Sequence, residues 1–581
     1  MGEDPRPLDA VVNEVVAETH LRPDELRPEE RAYLQAHALK KPLRVFDIWA
    51  LGVGGVIAGV YFGWNLGLRD NGPVAMLIAS VLVCLLYLTW VLALAELSVA
   101  MPFAGGPLAY GRRAADPSLG FVMGWSMFLE CQFAAIAAAQ AAGGYIAYLI
   151  AYPNEPSLAV RVTASLATVL IFFVLHARGV QEQSRAMMVM TWGAIVGLVI
   201  FWIAAATEFN WALAWPDPVL SSEGKATGWE AVLRAVPFAL WWLVIIETVA
   251  LAAEEAHEPG RTIPRGLVLA QLTLIALVVL TWLFTCGALE SEQLGDVDYP
   301  LLKVIGALRG GEPSPLLFYG FGAIAIFGII ASYHGMVFGA SRQSFALGRA
   351  GYLPAWLGQV HAVRRTPICA LLVSSLVTVG CVLASIWFPK VGDVAVLVST
   401  LTALLWYILA MGCLFVLRKR EPQLFRSYRA PVYRVLPITV VALSVFAACM
   451  YSVINVKVIP LTALLYALGL GYFWFRAHGQ IQKAAPEELA ARAALTGEQP
   501  DSPAIHEGRA VPTRRASFAW LERLTAAVLL LVVAVLGWIL LAAYVPGWAG
   551  WAAGELPVVL VLGLVAVALL LVSVVALLHT R

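Results

Sequence analysis

Runs of roughly 20 apolar residues follow one another along most of this chain, with short polar stretches between them. A hydrocarbon slab about 30 Å thick asks for helices of about that length, since each helical residue advances about 1.5 Å. Spanning strands are about 10 residues long and alternate in polarity, so they do not account for the runs. Only 13% of the residues are charged, against about 25% in a typical soluble domain. The expected fold class is an all-α polytopic membrane protein.

About fourteen segments meet the length criterion. They fall at 45–68, 73–98, 119–150, 159–176, 186–206, 230–253, 265–289, 316–346, 367–388, 393–417, 432–455, 457–476, 520–544 and 556–578. Residues 1–43 form a polar N-terminal arm, 44–478 a core of twelve spans, 479–518 a linker, and 519–581 two extra helices. Basic residues such as Arg112, Arg113, Arg261, Arg265, Arg418, Lys419 and Arg420 fall on one side of this arrangement, and acids such as Glu290, Asp296 and Asp298 on the other. Lys and Arg favour cytoplasmic loops. The expected location is the inner (plasma) membrane, multi-pass, with both termini cytoplasmic.

Several functions are not expected. The seven cysteines are scattered and form no CxxC pair, so neither a disulfide framework nor a metal site is expected. No HExxH or GxSxG motif occurs, so no catalytic residue is assigned and no enzyme is expected. No cofactor and no nucleic-acid partner are expected, and no ATP-binding motif is present. Energy for transport would come from a gradient or from exchange.

The first span contains "GVGGVIAGVYFGWN", Gly52 to Asn65. Glycine inside a helix costs roughly 0.5–1 kcal/mol against alanine. Two readings account for it. Gly55 and Gly59 form a GxxxG pair that lets helices pack closely. Alternatively the helix is discontinuous, and its freed backbone lines a cavity where a ligand satisfies it.

Span six, "FALWWLVIIETVALA", carries Glu247 in an apolar helix. An intramembrane carboxyl is either bonded to neighbouring backbone or functional, as a ligand for a substrate ammonium or as a proton relay. Trp241 and Trp242 are packing residues or hold a cation by a ring face. His334 of span eight is a further coupling candidate, because it could titrate near neutral pH. For His334 a structural bond to a carbonyl is the alternative.

Four separated stretches carry a resemblance: "ELSVAMPFAGGPLAYGRR", "EEAHEPGRTIPRG", "SRQSFALGRAGYLP" and "RRTP". Together they resemble the APC superfamily, the amino acid–polyamine–organocation permeases, over roughly residues 40–475. "YFGWNLGL", with "HALKKPLR" ahead of it, is most similar to the ethanolamine-permease branch. The resemblance implies inverted five-helix repeats with broken spans 1 and 6, in a 12-span core that here carries two extra C-terminal spans. It implies an unwound stretch at Ile57, Ala58, Gly59 and Val60. It implies an aromatic gate at Trp241, with Trp242 beside it, and a shared structural or coupling role for Glu130. Several proton-coupled relatives carry a lysine where this chain has Ala194, and span six lacks a glycine at its expected break.

The expected function is secondary transport of an amino acid or small, ethanolamine-like amine by alternating access within the lipid bilayer. Ile57, Ala58, Gly59, Val60, Trp241, Ile245 and Glu247 would contact the substrate, and H+ or an exchange substrate would be the coupling partner. The alternative is a transporter-like membrane sensor signalling through its cytoplasmic arm or C-terminal segment.

Overall fold

A computed structural model describes residues 43–477, except 103–104, 155, 179, 217–227, 254–255, 360–365 and 455–457. The N-terminal arm up to residue 42, the whole linker and the last two spans therefore lie outside the described residues.

Among the described residues the structure is helical, with one isolated parallel bridge between Leu43 and Ala256. Eight helices among the described residues are long and apolar enough to cross a bilayer. Three shorter apolar segments, Val45–Tyr61, Ile368–Ala384 and Leu436–Tyr451, join them. With the interrupted stretch 229–251, these occupy the positions of the twelve expected core spans.

Local sequence sets the helix ends. Span three, Pro117–Ala151, starts at Asp116, whose side chain accepts the Leu119 backbone N–H at 2.9 Å. Pro117 at the first helical position loses nothing there, because that N–H has no intrahelical partner anyway. Span eight, Pro315–Arg349, also starts on a proline. Just past its end lies Gly351, with φ +81°, a left-handed conformation in which glycine meets no steric cost. Span two, Leu68–Ala100, bends at Gly72 and Pro73.

Span three is the hub of one side of the bundle. It packs against span four (Leu158–Arg178), span eight and span ten (Val391–Arg420). Span seven, Pro259–Ala288, packs instead on spans one and two. At one end of the bundle, Glu96 of span two is fully buried and pairs through both oxygens with Arg418 of span ten, at 2.8 and 2.7 Å. The Ala430 backbone N–H donates to the same carboxylate at 3.1 Å. Arg113 and Glu421 pair nearby at 2.7 Å.

Candidate functional site: two interrupted spans around a carboxyl pair

Span one is helical over Val45–Val56 and again over Ala58–Tyr61. The interruption is narrower than expected, since only Ile57 stands outside a helix, while Ala58, Gly59 and Val60 form a short helical turn. Gly63 follows with φ +91°.

The glycines allow close approach of neighbouring backbone. A side-chain carbon on Gly52 would stand 2.9 Å from Ala270 of span seven, which is close helix packing. Gly59 lies against the backbone of the 3₁₀ turn of span six instead. A carbon there would overlap the carbonyl oxygen of Trp241 and stand 3.0 Å from that of Trp242.

Span six breaks more widely. It is helical over Trp229–Ala239, tightens into a 3₁₀ turn at Leu240–Trp242, and resumes only at Thr248–Leu251. In place of the missing glycine, Ile245 holds φ +82°. A β-branched residue avoids that conformation, which costs on the order of 1–3 kcal/mol and persists only where surrounding structure enforces it. Ile245 is fully buried. Its carbonyl accepts both the backbone N–H and the hydroxyl of Thr248, at 3.0 and 2.8 Å.

Glu247 sits at the end of this break with no solvent exposure, as does Glu130 of span three. The two carboxyls interact electrostatically across the break. The Tyr407 hydroxyl of span ten donates to Glu247 Oε1. The indole N–H of the adjacent Trp406 donates to Glu130 Oε2 at 2.6 Å. Among the described residues no donor completes a hydrogen bond to Glu130 Oε1 or Glu247 Oε2. Aromatic rings close the surroundings. Trp90 stacks on Tyr407 with centroids 4.1 Å apart, and Tyr87 meets Tyr407 edge-on at 5.9 Å.

The gate candidates pack on the residues just past the break in span one. Trp241 lies over Gly63 and meets Phe62 edge-on at 5.5 Å. Trp242 stacks on Trp64 at 4.3 Å and donates its indole N–H to Ser80 Oγ at 2.8 Å. The residues expected to contact substrate, Ile57, Ala58, Gly59, Val60, Trp241, Ile245 and Glu247, are all buried.

The structure thus brings Ile57, Ala58, Gly59, Val60, Trp241, Ile245 and Glu247 into one region and adds Glu130 to it. His334 sits elsewhere, its ring packed on His176 at 4.2 Å and Phe172 at 5.9 Å, both from span four. Ala194, at the position of the relatives' lysine, accepts the Tyr61 hydroxyl on its backbone carbonyl at 2.7 Å. Sequence reasoning did not single out Tyr407, Trp406 or Ser332. The adjacent Trp406 and Tyr407 in an apolar span were the available signal, as polar-tipped rings that need partners when buried.

Two interrupted helices meet inside a bundle of apolar, membrane-length helices, and the chain's relatives are membrane transporters. The chain belongs to the amino acid permease family, whose model matches residues 43–475. It is 29% identical over 433 residues to an uncharacterized transporter of Rhizobium meliloti (strain 1021), covering 74% of this chain and 90% of that protein. It is 25% identical over 471 residues to the branched-chain amino acid permease BcaP of Bacillus subtilis (strain 168), covering 77% and 95%. The methylthioribose transporter of the same organism is 25% identical over 474 residues, covering 78% and 97%. The resemblance to the superfamily therefore holds; the ethanolamine branch is not singled out by these relatives.

Proposed function

We propose that this permease is a secondary transporter moving an amino acid or a small, ethanolamine-like amine by alternating access, in the inner (plasma) membrane with both termini cytoplasmic. The carrying observation is the buried meeting of the two broken spans, with Glu247 and Glu130 paired against the break. Freed backbone at such a site offers N–H and C=O groups to the polar ends of a substrate. Trp241 and Trp242 act as its gate. The names of two relatives add branched-chain amino acids and methylthioribose as substrates of homologous proteins.

The carboxyl pair is the coupling element of this reading. Two like charges close together in a dry site repel strongly, so the pair responds to an added cation or proton. A substrate ammonium or a proton changes the balance between Glu247 and Glu130. His334, packed against span four, has the weaker claim to a coupling role.

A substrate panel in proteoliposomes tests the proposal. Uptake of labelled L-leucine and ethanolamine is measured at two pH values, with and without unlabelled substrate inside. Saturable uptake of either compound, raised by a proton gradient or by internal substrate, is expected. Absence of uptake across a full panel of amino acids and amines, by protein shown to be folded, overturns it.

A further inference from the structure

We propose that the hydroxyl of Ser332 is the wedge that keeps span one interrupted, so that Ser332 positions the substrate-facing backbone without itself meeting the substrate.

In a continuous α-helix the N–H of Ala58 would bond to the carbonyl of Gly54, four residues back. Here Ser332 of span eight stands between them. Its Oγ accepts the Ala58 N–H at 2.7 Å and donates to the Gly54 carbonyl at 2.8 Å. The preceding rung, Ile57 N–H to Val53 O, is intact at 2.8 Å; beyond the break Val60 N–H turns to Ile57 O, three residues back, at 2.9 Å, and four-residue spacing returns with Phe62 N–H to Ala58 O at 2.9 Å. At the first broken rung a side chain from another helix takes the place of the backbone partner. Insertion of a side chain into the ladder is an established cause of helix kinks.

The backbones are close enough for this to happen. Three residues along span eight from Ser332, a carbon added at Gly335 would stand 2.7 Å from Gly55 Cα. Ser332 is fully buried, so its hydroxyl has no water to compete for it. Ile57 keeps φ −59° and ψ −20°, still within the right-handed helical region. Direct closure of the Ala58–Gly54 rung therefore needs only a small backbone rotation.

Span one consequently has two hydrogen-bonded forms. In one the rung runs through Ser332 and the helix is bent at Ile57. In the other it closes directly, span one straightens and span eight is released. A buried amide and carbonyl do not stay unpaired, so loss of the hydroxyl drives the chain to the second form. Only the consequence for uptake rests on the transport reading; the wedge itself is a matter of backbone geometry.

The test uses the full-length chain with Ser332→Ala and Ser332→Thr. In a cryo-electron-microscopy structure of Ser332→Ala, the Ala58 N–H should bond directly to Gly54 O. The KM for L-leucine in proteoliposomes should rise roughly tenfold, the equivalent of about one hydrogen bond, with Vmax changed less. Ser332→Thr keeps the hydroxyl and should restore both. If Ser332→Ala fails to fold, Ser332→Cys takes its place, because a thiol bonds only weakly. A span one still interrupted at Ile57 without the hydroxyl overturns the proposal, whatever the uptake. Lack of L-leucine uptake by the unmodified protein would count against that substrate, and the structural comparison would then decide the wedge alone.

Discussion

Gly59 of span one lies directly against the carbonyl oxygen of Trp241 in span six, with no room between them for a side chain. This contact is backbone against backbone. It is the point where the two interrupted helices meet, and neither partner can rotate out of the way as a flexible side chain would.

Gly59→Leu is therefore expected to abolish uptake while the rest of the bundle remains folded. Overpacking of this kind costs about 1–3 kcal/mol, a loss that the extensive remaining core can carry. Gly59→Ala should give a milder loss in the same direction. Uptake in proteoliposomes, with size-exclusion chromatography as the folding control, checks both. Wild-type uptake by Gly59→Leu would mean that the meeting of the two spans is not needed for transport.

A second prediction concerns the ion pair of Glu96 and Arg418. Glu96 is fully buried and both its oxygens are held by one guanidinium. Arg418→Gln leaves that carboxylate with only the Ala430 N–H. Breaking a buried pair from one side costs about 3–5 kcal/mol, so a clear fall in melting temperature is expected. The double variant Glu96→Gln with Arg418→Gln removes the stranded charge and should recover part of the loss. Thermal unfolding in detergent compares the three proteins.

The long apolar spans were legible in the sequence because hydrocarbon thickness dictates their length. Spans three and eight, expected over 119–150 and 316–346, occupy 117–151 and 315–349. The break in span one was legible through its glycines. That in span six left no such mark locally, since Ile245 takes a glycine-like conformation that only its surroundings impose. The partners of the site were hidden for another reason. Tyr407 reaches Glu247 across 160 residues, and Ser332 reaches Ala58 across 274. No local pattern records contacts of that range.

Deletion after Gln480 should leave the site working. The family match ends at residue 475, and the last two apolar runs carry no acidic or histidine residue at mid-membrane. The truncated chain is expected to keep substrate uptake within a few-fold of the full protein. Loss of uptake by a monodisperse truncated protein would assign those spans a part in transport, and loss of a downstream response alone would favour a sensor role.

The last prediction separates the roles open to Glu247. Glu247→Gln keeps the shape of the side chain and removes its charge. If the carboxylate pairs with a substrate ammonium, binding weakens by a hundredfold or more, since a stranded partner charge in a desolvated site costs about 3–5 kcal/mol and each 1.4 kcal/mol is tenfold. A proton-relay role would instead leave binding nearly intact and flatten the pH dependence of uptake, because the pair with Glu130 no longer exchanges a proton. Tyr407→Phe supplies the control. It deprives Glu247 of its hydroxyl donor while leaving the carboxyl in place, at a cost of about 1–3 kcal/mol. With Glu247 as the proton relay, Tyr407→Phe should move the midpoint of the pH profile without flattening it, whereas Glu247→Gln flattens it. A purely structural Glu247 would lower the melting temperature in both variants and leave the shape of the profile unchanged. Binding, pH profile and melting, measured on both variants, decide among the three roles, and unchanged values throughout would remove Glu247 from the mechanism.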